Sequence, residues 1–531
     1  MQERGKLRLK KFYFHPVTMF IVLTFVVMFA SWILSLFETQ ATYNIINTNT
    51  NELEPVLIAV ENLLSFDGIK FIISDAAKNF LSFAPLGTLL ISLIGLAVAE
   101  GTGFIETLTK RHISKMPKYL FTFLVIFIST VSSLINEVGY AILIPMIALI
   151  YFMNNRNPIL GIVTAFCGVS FGYGVSVFVG SMEISLLNYT RDAARLIDET
   201  THIALTSNLI FIIVSSVILS IIGTVIIEKI IAPRIGKYKK DEEASQTEKY
   251  HSFDIEEEEQ RQIEQDKYEK RGLRYALVVA IVVAILFIYA LLPGLPYSGL
   301  LLDLNETAYV NQLFGDNAYF QDGFTYIVSL FFIVCGIAYG VGSKSIKNDR
   351  NIIENASKKF NNIGSIFILM FVVAQFIAVF RRTNIGPVVT SWLATALEHM
   401  QFSGTPLIIV SLLMIAASNF VLTSAANKWL IFSPVVVPMF MQSNISPQFA
   451  QIVMRVGDSM TKGFTPLLAS FVIYIGYLNS YNLNKNKPYT IRGALALISP
   501  YFLLISLAWI LIVVIWYLVG VPIGPGVVPT I

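Results

Sequence analysis

Two hydrophobic stretches of this chain are too long for one membrane crossing, and each carries polar residues at its middle. The first is Tyr119–Met153, centred on Ser132–Gly139. The second is Leu407–Met441, with Ser418–Trp429 at its centre. Inside a bilayer, polar and interrupted backbone survives only where protein buries it or water reaches it. Each stretch is therefore expected to enter and return as a re-entrant helical hairpin. Between them, runs of about 20 apolar residues recur, the length of a spanning helix. Only 14% of the 531 residues are charged, against about a quarter in soluble domains. The alternating ten-residue segments of a membrane barrel are absent. The expected fold is an all-α polytopic membrane protein.

Lys and Arg mark cytoplasmic loops, and their placement sets the orientation. Arg4, Lys6, Arg8, Lys10 and Lys11 precede the first apolar run. That run is long enough to span and shows no cleavage signal, so the N-terminus is expected inside. The next basic clusters are Lys110–Lys118 and the short link around Arg156. Both flank the first long stretch, so hairpin 119–153 opens from the inside. A span interrupted by glycines follows at 158–188, and another at 206–230. Residues 231–272 form a charged segment, read as a cytoplasmic linker between a first half, 1–230, and a second half, 273–531. Its acidic run Glu256–Glu259 fits a solvated helix face. In the second half, hairpin 405–441 opens from the outside. It is followed by a broken span at 449–480 and a last span near 494–520. The total is about nine spans and two hairpins.

Each half thus runs hairpin, broken span, span, with opposite entry sides. That is the pattern of an inverted repeat with a binding site near the midplane. The breaks read Cys167–Glu183, with Gly172 and Gly174, and Arg455–Pro466. Gly and Pro free backbone groups that can bind a solute, although small residues also allow close helix packing. Ionisable groups within spans are functional candidates by default. Glu137 stands at the first hairpin tip beside Asn136. Lys428 and Trp429 follow the second tip. Arg455 and Asp458 are three apart, on one helical face and able to pair. Lys462 places a positive charge in the second break, where it attracts an anion, replaces a bound cation or pairs with Asp458. Glu183 ends the first break and is placed at external water. Cys167 and Cys335 lie in apolar runs and read as small core residues.

Several stretches together resemble the AbgT family of transporters, named for p-aminobenzoyl-glutamate uptake. They are Asn79–Thr88, Ala97–Gly103, Asn136–Pro145, Asn427–Trp429, Pro434–Phe440 and Arg455–Ser459. The resemblance runs over nearly the whole chain in one order. It implies an inner-membrane homodimer, each protomer with nine spans and two hairpins. It also implies import of p-aminobenzoyl-glutamate, or cation-coupled export of sulfonamide-like antimetabolites. The family's important tryptophan, arginine and aspartate fall on Trp429, Arg455 and Asp458, and an acidic residue on Glu183. The chain departs from the pattern at Thr461-Lys462, where the family has Thr-Asn. An ammonium there stands in place of an amide able to ligate Na⁺, so H⁺ is the expected coupling ion and Na⁺ the alternative.

The expectation is a secondary active transporter of a small anionic or aromatic solute, with no cofactor and no nucleic-acid partner. Asn136, Glu137, Gly172 and Gly174 form one side of the site. Ser424, Asn427, Trp429 and Arg455 form the other, with Trp429 stacking on an aromatic ring. Asp458, Glu183 and Lys462 carry the coupling. A channel is the rival, and it needs a continuous pore with charged or carbonyl rings. An enzyme is disfavoured, because the five histidines are scattered and no nucleophile–base pair is evident.

Overall fold

A computed structural model describes residues 14–47, 50–135, 137–238, 255–315, 318–360, 363–484 and 487–531. Asn136 and the basic residues before Phe14 lie outside the described residues. Eight helices among the described residues are long and apolar enough to cross a membrane. The chain opens with α1 (Pro16–Leu36), β1 (Gln40–Asn47) and β2 (Glu52–Ala59), followed by α2 (Ala84–Gly101) and α3 (Phe104–Arg111). The first long stretch forms α4 (Lys118–Val131), a tight turn at Ser132–Ile135, and α5 (Val138–Met153). Next come α6 (Pro158–Phe171), α7 (Ser181–Arg195) and α8 (Leu209–Ile226).

The second half contains α9 (Ile255–Leu291), α10 (Tyr319–Ser343), α11 (Gly364–Arg382) and α12 (Ile385–His399). The second long stretch forms α13 (Gly404–Ser418) and α14 (Ala425–Gln442). Then follow α15 (Pro447–Thr461), α16 (Phe471–Ser480) and α17 (Ile491–Val519). Both long stretches are broken at their polar centres, and both glycine-bearing spans are interrupted.

Local chemistry explains where these helices start. Asn157 caps α6, accepting from the Ile159 N–H at 3.0 Å, with Pro158 in the first turn. Ser446 and Pro447 do the same for α15. A polar cap takes one of the orphan N–H groups, and proline there gives up a donor that had no partner. One carbonyl freed at a break is satisfied by a neighbouring turn. Ser133 Oγ donates to the Val175 carbonyl at 2.9 Å, so the turn after α4 satisfies the break between α6 and α7.

Among the described residues the helical body carries one small sheet, the antiparallel pair β1–β2 after α1, with Gln40 opposite Ala59 and Asn47 opposite Glu52. The Ser391 hydroxyl of α12 donates to the Thr42 carbonyl at 2.9 Å, which anchors the hairpin on the helical body. The charged segment 231–272 is helical over part of its length. From Ile255 it is helix, continuous with the following span to Leu291. Gly272 does not break it. A Cβ at Gly272 would lie 2.9 Å from the Tyr339 ring, and one at Gly342 would lie 2.7 Å from the Gly272 backbone. The glycines let α9 and α10 cross at backbone distance, as small residues do in membrane bundles.

Gly174 carries a testable consequence. A Cβ there would meet Ser459 Oγ at 2.4 Å and the Arg455 carbonyl at 2.6 Å. Gly174→Ala must push α15 away from the first break. We expect a loss of about 1–3 kcal/mol of stability, typical of overpacking, read as a lower unfolding temperature in detergent. Gly87→Ala, where nothing lies within 4 Å, should leave that temperature unchanged or raise it. Equal behaviour of the two variants would refute the close-contact argument.

Candidate functional site

The interrupted helices meet at their breaks. The break after α6 (residues 172–180), the turn before α5, the gap between α13 and α14 and the end of α15 converge on one region. A cavity of about 270 Å³ opens there. Its lining includes Glu137, Tyr173, Arg381, Thr423, Ser424 and Lys462. Glu137 is the described half of the first tip, and its carboxylate accepts from Ser470 Oγ at 2.7 Å, across the halves. Lys462 Nζ sits 3.7 Å from the Tyr173 ring centre, a cation–π contact. Ser424 caps α14, accepting from the Asn427 N–H at 3.4 Å. Asn427 itself is exposed.

Behind the cavity lies a buried charge cluster. Asp458 on α15 is fully enclosed. One carboxylate oxygen accepts from Lys428 Nζ, and the other lies 3.5 Å from Lys462 Nζ. Lys428 also donates to Asn419 Oδ1, and Asn419 Nδ2 donates to the Asp458 carbonyl at 2.6 Å and to Thr461 Oγ1 at 2.8 Å. The gap after α13 thus supplies an amide, and the first turn of α14 a lysine, to the end of α15. Lys462 belongs to both regions, because it lines the cavity and contacts Asp458.

A second buried pair stands apart. Arg455 forms an ion pair with Glu183, and its Nε donates to the Gly174 carbonyl at 2.7 Å. Glu183 Oε2 accepts from the Gly180 N–H at 2.7 Å, at the start of α7. The pair ties the two broken segments together.

Arg455 and Asp458, able to pair by their spacing, do not pair. Each points to a different partner, Arg455 across to α7 and Asp458 toward α14. Glu183, placed at external water by its sequence position, is buried. Of the expected site residues, Glu137, Ser424 and Lys462 reach the cavity, and Asp458 lies one side chain behind it. Gly172 and Gly174 serve as packing points. A Cβ at Gly172 would lie 2.5 Å from Thr130 Oγ1. Trp429 is fully buried, with its indole N–H donating to Thr190 Oγ1 at 2.8 Å, so its ring faces α7 and not the cavity. Tyr173, Thr423, Asn419 and Arg381 were not singled out. Arg381 did leave a signal, a basic residue at the end of an apolar run.

A family model for AbgT transporters matches residues 10–531. The p-aminobenzoyl-glutamate transport protein of Escherichia coli (strain K12) is 30% identical over 518 residues, covering 97% of this chain and 94% of that one. Among solved structures, the Alcanivorax borkumensis YdaH transporter is 27% identical, with a TM-score of 0.47 and coverage of 96% and 100%. Neisseria gonorrhoeae MtrF, described as illuminating a class of antimetabolite efflux pumps, is 30% identical, with a TM-score of 0.47 and coverage of 97% and 98%. The family match spans almost the entire sequence, and with it the multi-pass helical architecture: the chain belongs to the AbgT family and is a membrane transporter, not an enzyme.

Proposed function

We propose that this protein is a secondary active transporter of a small anionic solute, coupled to protons through Asp458. The observation that carries the reading is the double placement of Lys462. Its ammonium faces the cavity and also holds Asp458 at 3.5 Å. Arg381 adds a second cation to the lining against the single carboxylate of Glu137, so the cavity suits a carboxylate-bearing solute. When Asp458 takes a proton, its hold on Lys462 weakens. The lysine is then free to pair with the solute. Proton and anion therefore bind together, which is the logic of symport, and p-aminobenzoyl-glutamate fits the chemistry. The Asp458 carboxylate already has two ammonium partners, which argues against Na⁺ as its ligand. On this reading the two broken stretches are re-entrant hairpins of an inverted repeat. They belong to a mobile core working against the remaining helices in a homodimer in the cytoplasmic membrane.

Purified protein in proteoliposomes tests this. Labelled p-aminobenzoyl-glutamate should accumulate under an inward proton gradient and not under a Na⁺ gradient alone. It should also show saturable counterflow. Accumulation driven by Na⁺ at constant pH would overturn the coupling assignment. Flux that neither saturates nor exchanges would favour a channel.

A further inference from the structure

Outside the transport site, α3 and α9 form a groove of about 620 Å³ whose two ends differ in chemistry. On α9, Lys270, Leu273, Arg274, Leu277 and Ala280 line it, spaced three and four apart on one helical face. On α3 and the turn after it, Phe104, Leu108, Arg111 and Lys115 repeat the pattern. The helices run with opposite polarity here. Arg111 Nη2 pairs with Asp266 at 2.5 Å and Glu269 at 3.2 Å, while Phe104 packs on Tyr339 at 5.7 Å, next to Gly272. The basic ends of both helices therefore coincide, and so do the apolar ends.

The basic end sits where α9 changes from a charged to an apolar helix, the level of the membrane–water boundary. From Lys270 to Ala280 is about 15 Å of helix rise, so the apolar floor reaches from that boundary into the hydrocarbon. Leu277 on that floor is 61% exposed among the described residues. Asp266 and Glu269 hold Arg111, and Asp266 also holds Lys270 at 2.6 Å. Lys115 and Arg274 have no acidic partner among the described residues and are exposed at the rim. The Nε of Arg111 is buried and finds no acceptor among the described residues.

We propose that this groove is a binding site for an anionic phospholipid. The phosphate sits among Arg111, Lys115 and Arg274, and an acyl chain lies along Leu108, Leu273 and Leu277. Basic pockets between spanning helices at a membrane surface bind such headgroups, and each basic side chain adds to the attraction. The lipid supplies what the groove lacks, an acceptor at one end and hydrocarbon at the other. A second copy of the chain on this face would set the same basic rim against itself in a two-fold contact.

The test uses delipidated full-length protein and native mass spectrometry, with phosphatidylglycerol and phosphatidylcholine of identical chains. The wild type should retain phosphatidylglycerol at concentrations where phosphatidylcholine is lost. The double variant K115Q/R274Q should bind phosphatidylglycerol roughly tenfold or more weakly, with its lipid-free unfolding temperature and elution volume unchanged. Equal binding of the two lipids, or an unaffected double variant, would overturn the site. Displacement by millimolar inorganic phosphate would overturn the lipid assignment in favour of a free anion. A changed elution volume in the double variant would overturn it in favour of an interface between copies.

Discussion

Asp458→Asn should abolish proton-driven accumulation and lower the unfolding temperature sharply. The substitution leaves Lys428 fully buried with only the Asn419 amide as a strong partner. Removing one member of a buried ion pair costs about 3–5 kcal/mol, because the other charge stays behind. A structural defect alone would also stop transport, so the single variant does not decide the role. Asp458→Asn combined with Lys428→Met removes the stranded charge, and most of the lost stability should return. In that background Lys462 has no carboxylate to hold it and faces the cavity permanently. The double variant should therefore bind and exchange solute with little pH dependence, and fail to accumulate it. If it accumulates solute under a pH gradient, Asp458 is a structural acid and the coupling proton sits elsewhere.

The sequence makes the breaks legible because the penalty is severe: a lysine, an acid or an amide inside an apolar run needs a partner or water. Glu137, Lys428 and Lys462 all stand out for that reason. Their partners are less legible. Arg455 and Asp458 look like a pair because local spacing favours it. The choice is made instead by α7 and α14, whose approach to α15 depends on packing that spacing does not encode. Trp429 shows the same limit. An indole beside a hairpin tip suits an aromatic solute, yet Thr190 on α7 offers its N–H a buried acceptor. The β1–β2 hairpin escapes notice because nearly all of its residues are exposed or only partly buried, so the strands lack the alternation that marks a half-buried sheet.

Arg455→Met should destabilise the protein about as strongly as Asp458→Asn, by about 3–5 kcal/mol, through a separate pair. It strands the buried Glu183 carboxylate and leaves the Gly174 carbonyl without its donor. Glu183→Gln in the same chain removes the charge while keeping an oxygen for the Gly180 N–H. The double variant should regain most of the charge-burial cost, but not the Gly174 hydrogen bond. Arg455→Lys separates the two contributions. A lysine keeps the positive charge, but it lacks the planar fork that serves Glu183 and Gly174 at once. An unsatisfied buried carbonyl costs about 1–3 kcal/mol, so Arg455→Lys should fall between the wild type and Arg455→Met in unfolding temperature. Because the fork also fixes the first break against α15, solute exchange should slow in all three variants, including the double variant with its restored stability. Arg455→Lys with wild-type stability and exchange would show that charge alone holds the two broken segments together, and the directional role of the guanidinium would have to be abandoned.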